Sequence, residues 1–391
     1  MMSEENRWNS NSMKMKRRVL HGAGMAVFAP PAATDHPLNI VQLRAWRVKE
    51  PDSNRRYTVV CLKSQGGVSG YGEGGPATGS EIAEARLAVT GRRATDSELI
   101  RAALHRLPAL EAAVGNAMLD LVSRAKNVPI YQYLGGPVRH KARILAHLEG
   151  RTAADAAPSL ERAQRQGFRA FTLAAPQRDA MIPLQAYVDL ARKHVAEMQS
   201  KAGASSEWVL DGAGAMTPGD AATVAAALER IHPIWFDEPT AVMTQDGLAK
   251  IVEESVMPIG LGRRITDIAG FQGLLASGSL HIVRPGLGLN SLTKIKRIAA
   301  IAEAHYVAIS PFHDGGPIGA LAGIHLNASL INAYAQQIPV PSSARDAAMR
   351  AEITSGLKES GTQGFAALLN RPGLGFDVNE RALDAYSEER I

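Results

Sequence analysis

From residue 142 onward, short apolar runs alternate with segments of helical spacing. The runs are ARILAHLEG (142–150), FRAFTLAAP (168–176), EWVLDGAG (207–214), PIWFDEP (233–239), MPIGLGRR (257–264), SLHIVRPG (279–286) and YVAISPF (306–312). Between them, Val224, Leu228 and Ile231 share one helical face, as do Ile295, Ile298, Ala299 and Ala302. TPGD at 217–220 predicts a helix entry, with Thr217 as cap and Pro218 in the first turn. Repeated βα units of this length predict a parallel, helix-covered sheet, most simply a TIM-type barrel. A doubly wound sheet would carry a glycine-rich phosphate loop after its first strand. GLGLN at 286–290 follows a late strand and lacks the G-x-G-x-x-G spacing. Ahead of the barrel, LNIVQLRAWRVKE and YTVVCLKSQGGVSGYGEG alternate like antiparallel strands, and helices follow, so residues 37–140 read as a separate α+β module. NRPGLGFDVNE, near the end of the chain, reads as strand-like again.

Composition narrows the function classes. The 391 residues are 46% hydrophobic and 21% charged, which is globular rather than disordered. The net charge of +5 is spread thinly beyond the first twenty residues, and aromatics are only 5%, so no nucleic-acid surface is expected. The single cysteine, Cys61, excludes an intrachain disulfide and reads as core. Within residues 1–36, a polar stretch (1–12) precedes MKMKRR (13–18), which is followed by a short weakly apolar stretch and an end rich in Pro and Ala. That pattern, around Arg17 and Arg18, predicts twin-arginine export to the periplasm. The alternative is a disordered basic tail on a cytoplasmic protein. The apolar stretch is too short to span a bilayer, so no stable membrane anchor is expected.

A barrel does its chemistry at the carboxyl ends of its strands. Those ends deliver Asp211, Asp237 with Glu238, Arg263 with Arg264, Arg284, and His313 with Asp314. Carboxylates on successive strands suit a hard cation such as Mg²⁺.

Order and wording resemble the enolase superfamily, mandelate racemase/muconate lactonizing enzyme branch. GYGEGG resembles that family's first hairpin. AAVGNAMLDLVSRAKNVPIYQYLGGPVR resembles its helix, and FDEP, GGPIGALAGIHL and PGLGFDVN match as well. The resemblance implies an α/β fold: a modified TIM barrel, (β/α)7β, over residues 141–364. It also implies an α+β capping domain over residues 37–140, completed by a C-terminal segment, 365–391. Homo-oligomers are implied too. So is a Mg²⁺-stabilised enediolate formed by proton abstraction next to a small carboxylate.

Tried residue by residue, the resemblance places metal ligands at Asp211 and Glu238 but puts Arg263 at the third ligand position. A guanidinium has no acceptor and cannot ligate Mg²⁺. The Lys-x-Lys base falls on Thr172 and Ala174; the His–Asp dyad falls on Phe312 and Gly286, with His313 one residue late. Ordinary enolate chemistry is therefore expected to be lost or remodelled, with a small carboxylate still bound. The alternative is an active dehydratase or racemase of an acid sugar working through a rearranged site. Whether the chain is an enzyme stays open at this point. Arg263 is expected to bridge Asp211 and Glu238. Arg263, Arg264, Arg284 and the hairpin residue Glu73 are candidate ligand contacts, and His313 and Asp314 are candidate acid–base groups.

Overall fold

The computed structural model describes residues 35–390, apart from residue 180. The Arg17–Arg18 segment lies outside the described residues. Strands β1 (Ile40–Lys49), β2 (Arg56–Ser64) and β3 (Ser69–Gly74) form an antiparallel meander. Helices α1 (Gly79–Val89), α2 (Ser97–Ala103), α3 (Pro108–Ala125) and α4 (Ile130–Tyr133) follow. On β3 every second residue is glycine. A Cβ on Gly70, Gly72 or Gly74 would lie 2.0–2.3 Å from backbone oxygens of α3. The helix therefore packs straight onto the strand, and the alternate residues, Tyr71 and Glu73, are turned to the opposite face. That is how Glu73 comes to point at the barrel.

The barrel strands are β4 (Lys141–Leu148), β5 (Ala170–Ala174), β6 (Glu207–Asp211), β7 (Trp235–Asp237), β8 (Ile259–Leu261), β9 (Ile282–Val283), β10 (Ala308–Ile309) and β11 (Gln336–Val340). Helices α5 (Ala153–Arg165), α6 (Leu184–Ala202), α7 (Pro218–Leu228), α8 (Gln245–Glu254), α9 (Ile268–Ala276), α10 (Leu292–Ala304) and α11 (Pro317–Ser329) alternate with them. Neighbouring strands are parallel in the order β10-β9-β8-β7-β6-β5-β4-β11. A parallel bridge between Ile309 and Ala333 joins the two ends, so the sheet closes as (β/α)7β. Thr217 caps α7 by accepting from the Asp220 N–H, and Asp267 caps α9 by accepting from the Gly270 N–H. The strand β11 has no counterpart among the expected runs, because QQIPV is half polar.

After β11 come α12 (Ala344–Ile353), β12 (Phe365–Ala367), which pairs antiparallel with β4, and α13 (Glu380–Tyr386). The last strand, β13 (Ser387–Arg390), pairs with β1 at the edge of the meander. The segment 370–379 is not a strand: it turns through Gly373 and Gly375 at positive φ, and Asp120 Oδ1 accepts the Leu374 N–H at 2.7 Å. The Pro and glycines that broke its alternation made turns instead. Cys61 is buried in β2, and burial pushes its thiol up to about 11, so it is inert packing. Among the described residues no helix is long and apolar enough to cross a membrane.

Candidate active site at the barrel mouth

Strand alternation builds the site. An inward apolar layer consists of Leu145, Ala170, Val209, Trp235, Ile282 and Ala335, with Ala308 against it. Two residues further along each strand, the same inward face carries His147, Thr172, Asp211, Asp237, Arg284, Gln337 and Ser310. The floor of the mouth is thus a polar layer laid on an apolar one.

Two arginines organise it. Arg263 donates from Nη1 to Asp211 Oδ2 at 3.0 Å, and from Nη2 to Asp211 Oδ1 at 2.6 Å and Asp237 Oδ2 at 2.8 Å. Its guanidinium lies 4.4 Å from the centre of the Phe312 ring. Arg284, with no exposed surface, donates from Nε to Asp237 Oδ1 at 2.9 Å and from Nη2 to Asp237 Oδ2 at 3.2 Å. It also donates to the Ser310 carbonyl at 2.5 Å and to Gln337 Oε1. Trp235 Nε1 donates to Asp237 Oδ1 at 3.0 Å. Burial raises the Asp211 carboxyl, but Arg263 overrides it and holds Asp211 below the usual range. Burial lowers the Arg263 value, and Asp237 and Asp211 more than offset that, so it stays charged.

This geometry corrects the expected bridge. Arg263 hydrogen-bonds Asp211 and Asp237 through its guanidinium and meets Glu238 only as a longer ion pair. Period-two alternation turns Asp237 inward, and Glu238 follows it in a left-handed backbone, φ 42°. Glu238 Oε1 accepts the Gly262 and Arg263 N–H groups at 2.7 and 3.0 Å and stays 3.8 Å from Arg263 Nε. Burial pushes the Glu238 carboxyl up.

The other predicted residues separate. Arg284 is consumed by internal partners and offers no free face to a ligand. Arg264 is exposed, as is Asp314 at the rim. His313 is buried on the cap side, where one ring nitrogen lies 2.8 Å from the Gly316 carbonyl and 3.6 Å from Glu73 Oε1. Its one-residue offset put Phe312, not His313, beneath Arg263. Glu73 accepts the Gly316 and Gly319 N–H groups at 2.6 and 3.0 Å, capping α11 rather than lining the mouth. Burial pushes Glu73 up to about 7 and His313 down to about 4.

Sequence reasoning missed His147, and it named Asp237 at its strand end without giving it a role. His147 is half-buried, with one ring nitrogen buried and without a partner. Burial and the Arg263 charge lower its value against the pull of Asp211 and Asp314, which leaves it neutral near pH 7. The Phe312 ring stands edge-on to it, 6.2 Å between centres. Its signal, a histidine on the inward face of the first barrel strand, was available from alternation alone.

A divalent cation does not fit this donor set. Both Asp211 oxygens and both Asp237 oxygens already accept from guanidinium groups, and the third position offers only donors. Among the described residues no group of His, Cys, Asp or Glu is assembled to hold a metal.

A closed (β/α)7β barrel with an antiparallel cap, and charged residues gathered at the strand ends, defines a barrel scaffold whose candidate site is at the mouth. The Enolase C-terminal domain-like family profile matches residues 155–382. The chain belongs to this family, within the mandelate racemase/muconate lactonizing enzyme branch of the enolase superfamily. D-galactonate dehydratase of Verminephrobacter eiseniae is 29% identical over 271 residues, covering 69% of this chain and 71% of the relative. D-galactonate dehydratase of Ralstonia nicotianae is 27% identical over 343 residues, covering 83% and 89%. Two crystal structures titled mandelate racemase/muconate lactonizing enzyme share the fold. The Jannaschia protein superposes with a TM-score of 0.79 at 21% identity, covering 90% of this chain and 98% of that one. The Sulfitobacter protein gives 0.79 at 20% identity, covering 90% and 96%.

Proposed function

We propose that this chain acts on a small hydroxy-carboxylate of the sugar-acid class. The reaction is proton abstraction next to the carboxylate, with dehydration or epimerisation as the outcome. The similarity to D-galactonate dehydratases across 83% of the chain carries this reading. It favours an active, rearranged site over a purely ligand-binding barrel. The site is remodelled around a built-in cation. Arg263 and Arg284 stand among the carboxylates, and no step is routed through a metal. Arg263 Nε is a buried donor without an acceptor, available to an oxygen of a bound anion. A panel of sugar acids incubated with the protein in D₂O and excess chelator tests the reading. Loss of the α-proton signal for at least one acid, with a 2-keto-3-deoxy product or an epimer, is expected. No exchange with any acid would leave the second reading, a carboxylate-binding barrel, which the Arg263–Asp211 lock favours. Export and homo-oligomerisation remain part of the proposal.

A further inference from the structure

We propose that His147 and Thr172 form the proton-transfer face of the barrel mouth, with His147 as the base. The inference rests on the sugar-acid reading and supplies the group that reading lacks. Thr172 and Ala174 leave the second strand without an amine, and Phe312 leaves the seventh without an imidazole.

The two residues are direct partners across β4 and β5: Leu145 pairs with Ala170, Ala146 with Phe171 and His147 with Thr172. Both lie on the inward face, one layer above the apolar floor. Thr172 is completely buried, and its hydroxyl has no hydrogen-bond partner. The buried His147 ring nitrogen has none either. Leaving one such group unsatisfied typically costs about 1–3 kcal/mol, and native structures keep few of them without a reason. Two on adjacent strands at the same register, with the unsatisfied Arg263 Nε at the same mouth, are buried polar atoms that an occupant opening the mouth would satisfy. A purely structural threonine at this position could be valine at no cost in packing.

The chemistry fits a hydroxy acid. A neutral imidazole can take the α-proton, while a hydroxyl beside it both donates and accepts toward a substrate hydroxyl. His147 is half-buried: its Nδ1 is closed off and without a partner, while the residue as a whole retains some exposure. The fixed charges near it balance in sign: Asp211 and Asp314 on one side, Arg263 and Arg55 on the other.

Three variants test the assignment with the acid that the wild type exchanges. His147→Gln keeps a polar side chain but removes the base. It is expected to slow α-proton exchange at least ~100-fold, while the ligand Kd moves less than about threefold. His147→Ala is expected to regain exchange when imidazole is added, which a packing role would not produce. Thr172→Val is isosteric and is expected to weaken binding while leaving the fold intact by circular dichroism. Wild-type exchange that survives His147→Gln overturns the inference and leaves the sugar-acid reading standing. Loss in His147→Ala without imidazole rescue, or unchanged binding in Thr172→Val, overturns the assignment of that residue. Absence of exchange in the wild type removes the reading and this inference together.

Discussion

Arg284→Met tests whether the deepest charge in the barrel is an internal strut or a ligand contact. Arg284 has no exposed surface, and Asp237 receives two of its donors at 2.9 and 3.2 Å. Methionine fills similar space, so little cavity cost is added. What disappears is one partner of a buried ion pair, together with the donors to Ser310 and Gln337. Removing one side of such a pair typically costs about 3–5 kcal/mol. With an unfolding entropy of about 2.1 cal/mol/K per residue over the 391-residue chain, that is a Tm drop of ~4–6 °C.

Differential scanning calorimetry at pH 7.5 reads the drop directly, and a double-mutant cycle with Asp237→Asn assigns it. If the pair is the cause, the double variant should lose about 1–3 kcal/mol less than the two single losses combined. A Tm within about 1 °C of wild type, or an additive double variant, would refute the strut. A variant with unchanged Tm but weakened sugar-acid binding would return Arg284 to the ligand contacts.

Glu73 and His313 pull the pH dependence of stability in opposite directions. Glu73 is raised to about 7, so its contribution is fully present below about 4.5 and is lost as pH rises through 7. His313 is lowered to about 4, so its contribution is present above about 6.5 and is lost as pH falls through 4. Urea midpoints should therefore show wild type losing ground to Glu73→Gln as pH rises from 4.5 to 7, by up to ~1.4 kcal/mol per unit, and gaining on His313→Gln from 4 to 6.5. A Cβ at Gly316 would lie 2.4 Å from the Tyr57 ring and 2.7 Å from Glu73, so Gly316→Ala should cost about 1–3 kcal/mol in thermal unfolding. Wild-type protein stripped by chelator should show no saturable Mg²⁺ heat at roughly 10 mM, whereas Arg263→Glu should gain one site and a Tm that climbs with Mg²⁺. Replacing Arg17 and Arg18 with lysine should leave the protein in the cytoplasmic fraction if the proposed export holds.

The barrel was legible because each strand is a short apolar run and each helix carries a face such as Ile295, Ile298, Ala299 and Ala302, all of them buried. The strand β11 was not, since Gln336 and Gln337 interrupt its apolar character; Gln337 is buried with Arg284 and the His313 carbonyl as partners, and Gln336 with the Gln337 carbonyl. At the site, Asp211 and Arg263 could be read from spacing. The error over Glu238 came from counting the pair Asp237–Glu238 without applying alternation to it. Trp235 faces the barrel interior, so Asp237 must too, and only a left-handed turn at Glu238 decides where the next carboxylate goes. His147 was passed over for a related reason: attention to motif positions skipped the one inward histidine on the first strand.

The arrangement also says why losing a third ligand need not empty the site of function. Asp211, Asp237 and Glu238 formally bring three negative charges, and Arg263 and Arg284 return two positive ones. The residual charge of minus one is what three carboxylates around a divalent ion would leave. The formal charge at the mouth is thereby the same as with an exchangeable divalent ion, but it is set by two tethered side chains. Tethering has a directional consequence. An ion can bridge protein and substrate oxygens at once, whereas a guanidinium locked on Asp211 and Asp237 has only Nε, 3.8 Å from Glu238, and one Nη1 N–H left to offer. Under the proposal, a substrate is held largely by groups outside the ion cluster, among them the unsatisfied His147 and Thr172 on the adjacent strands β4 and β5.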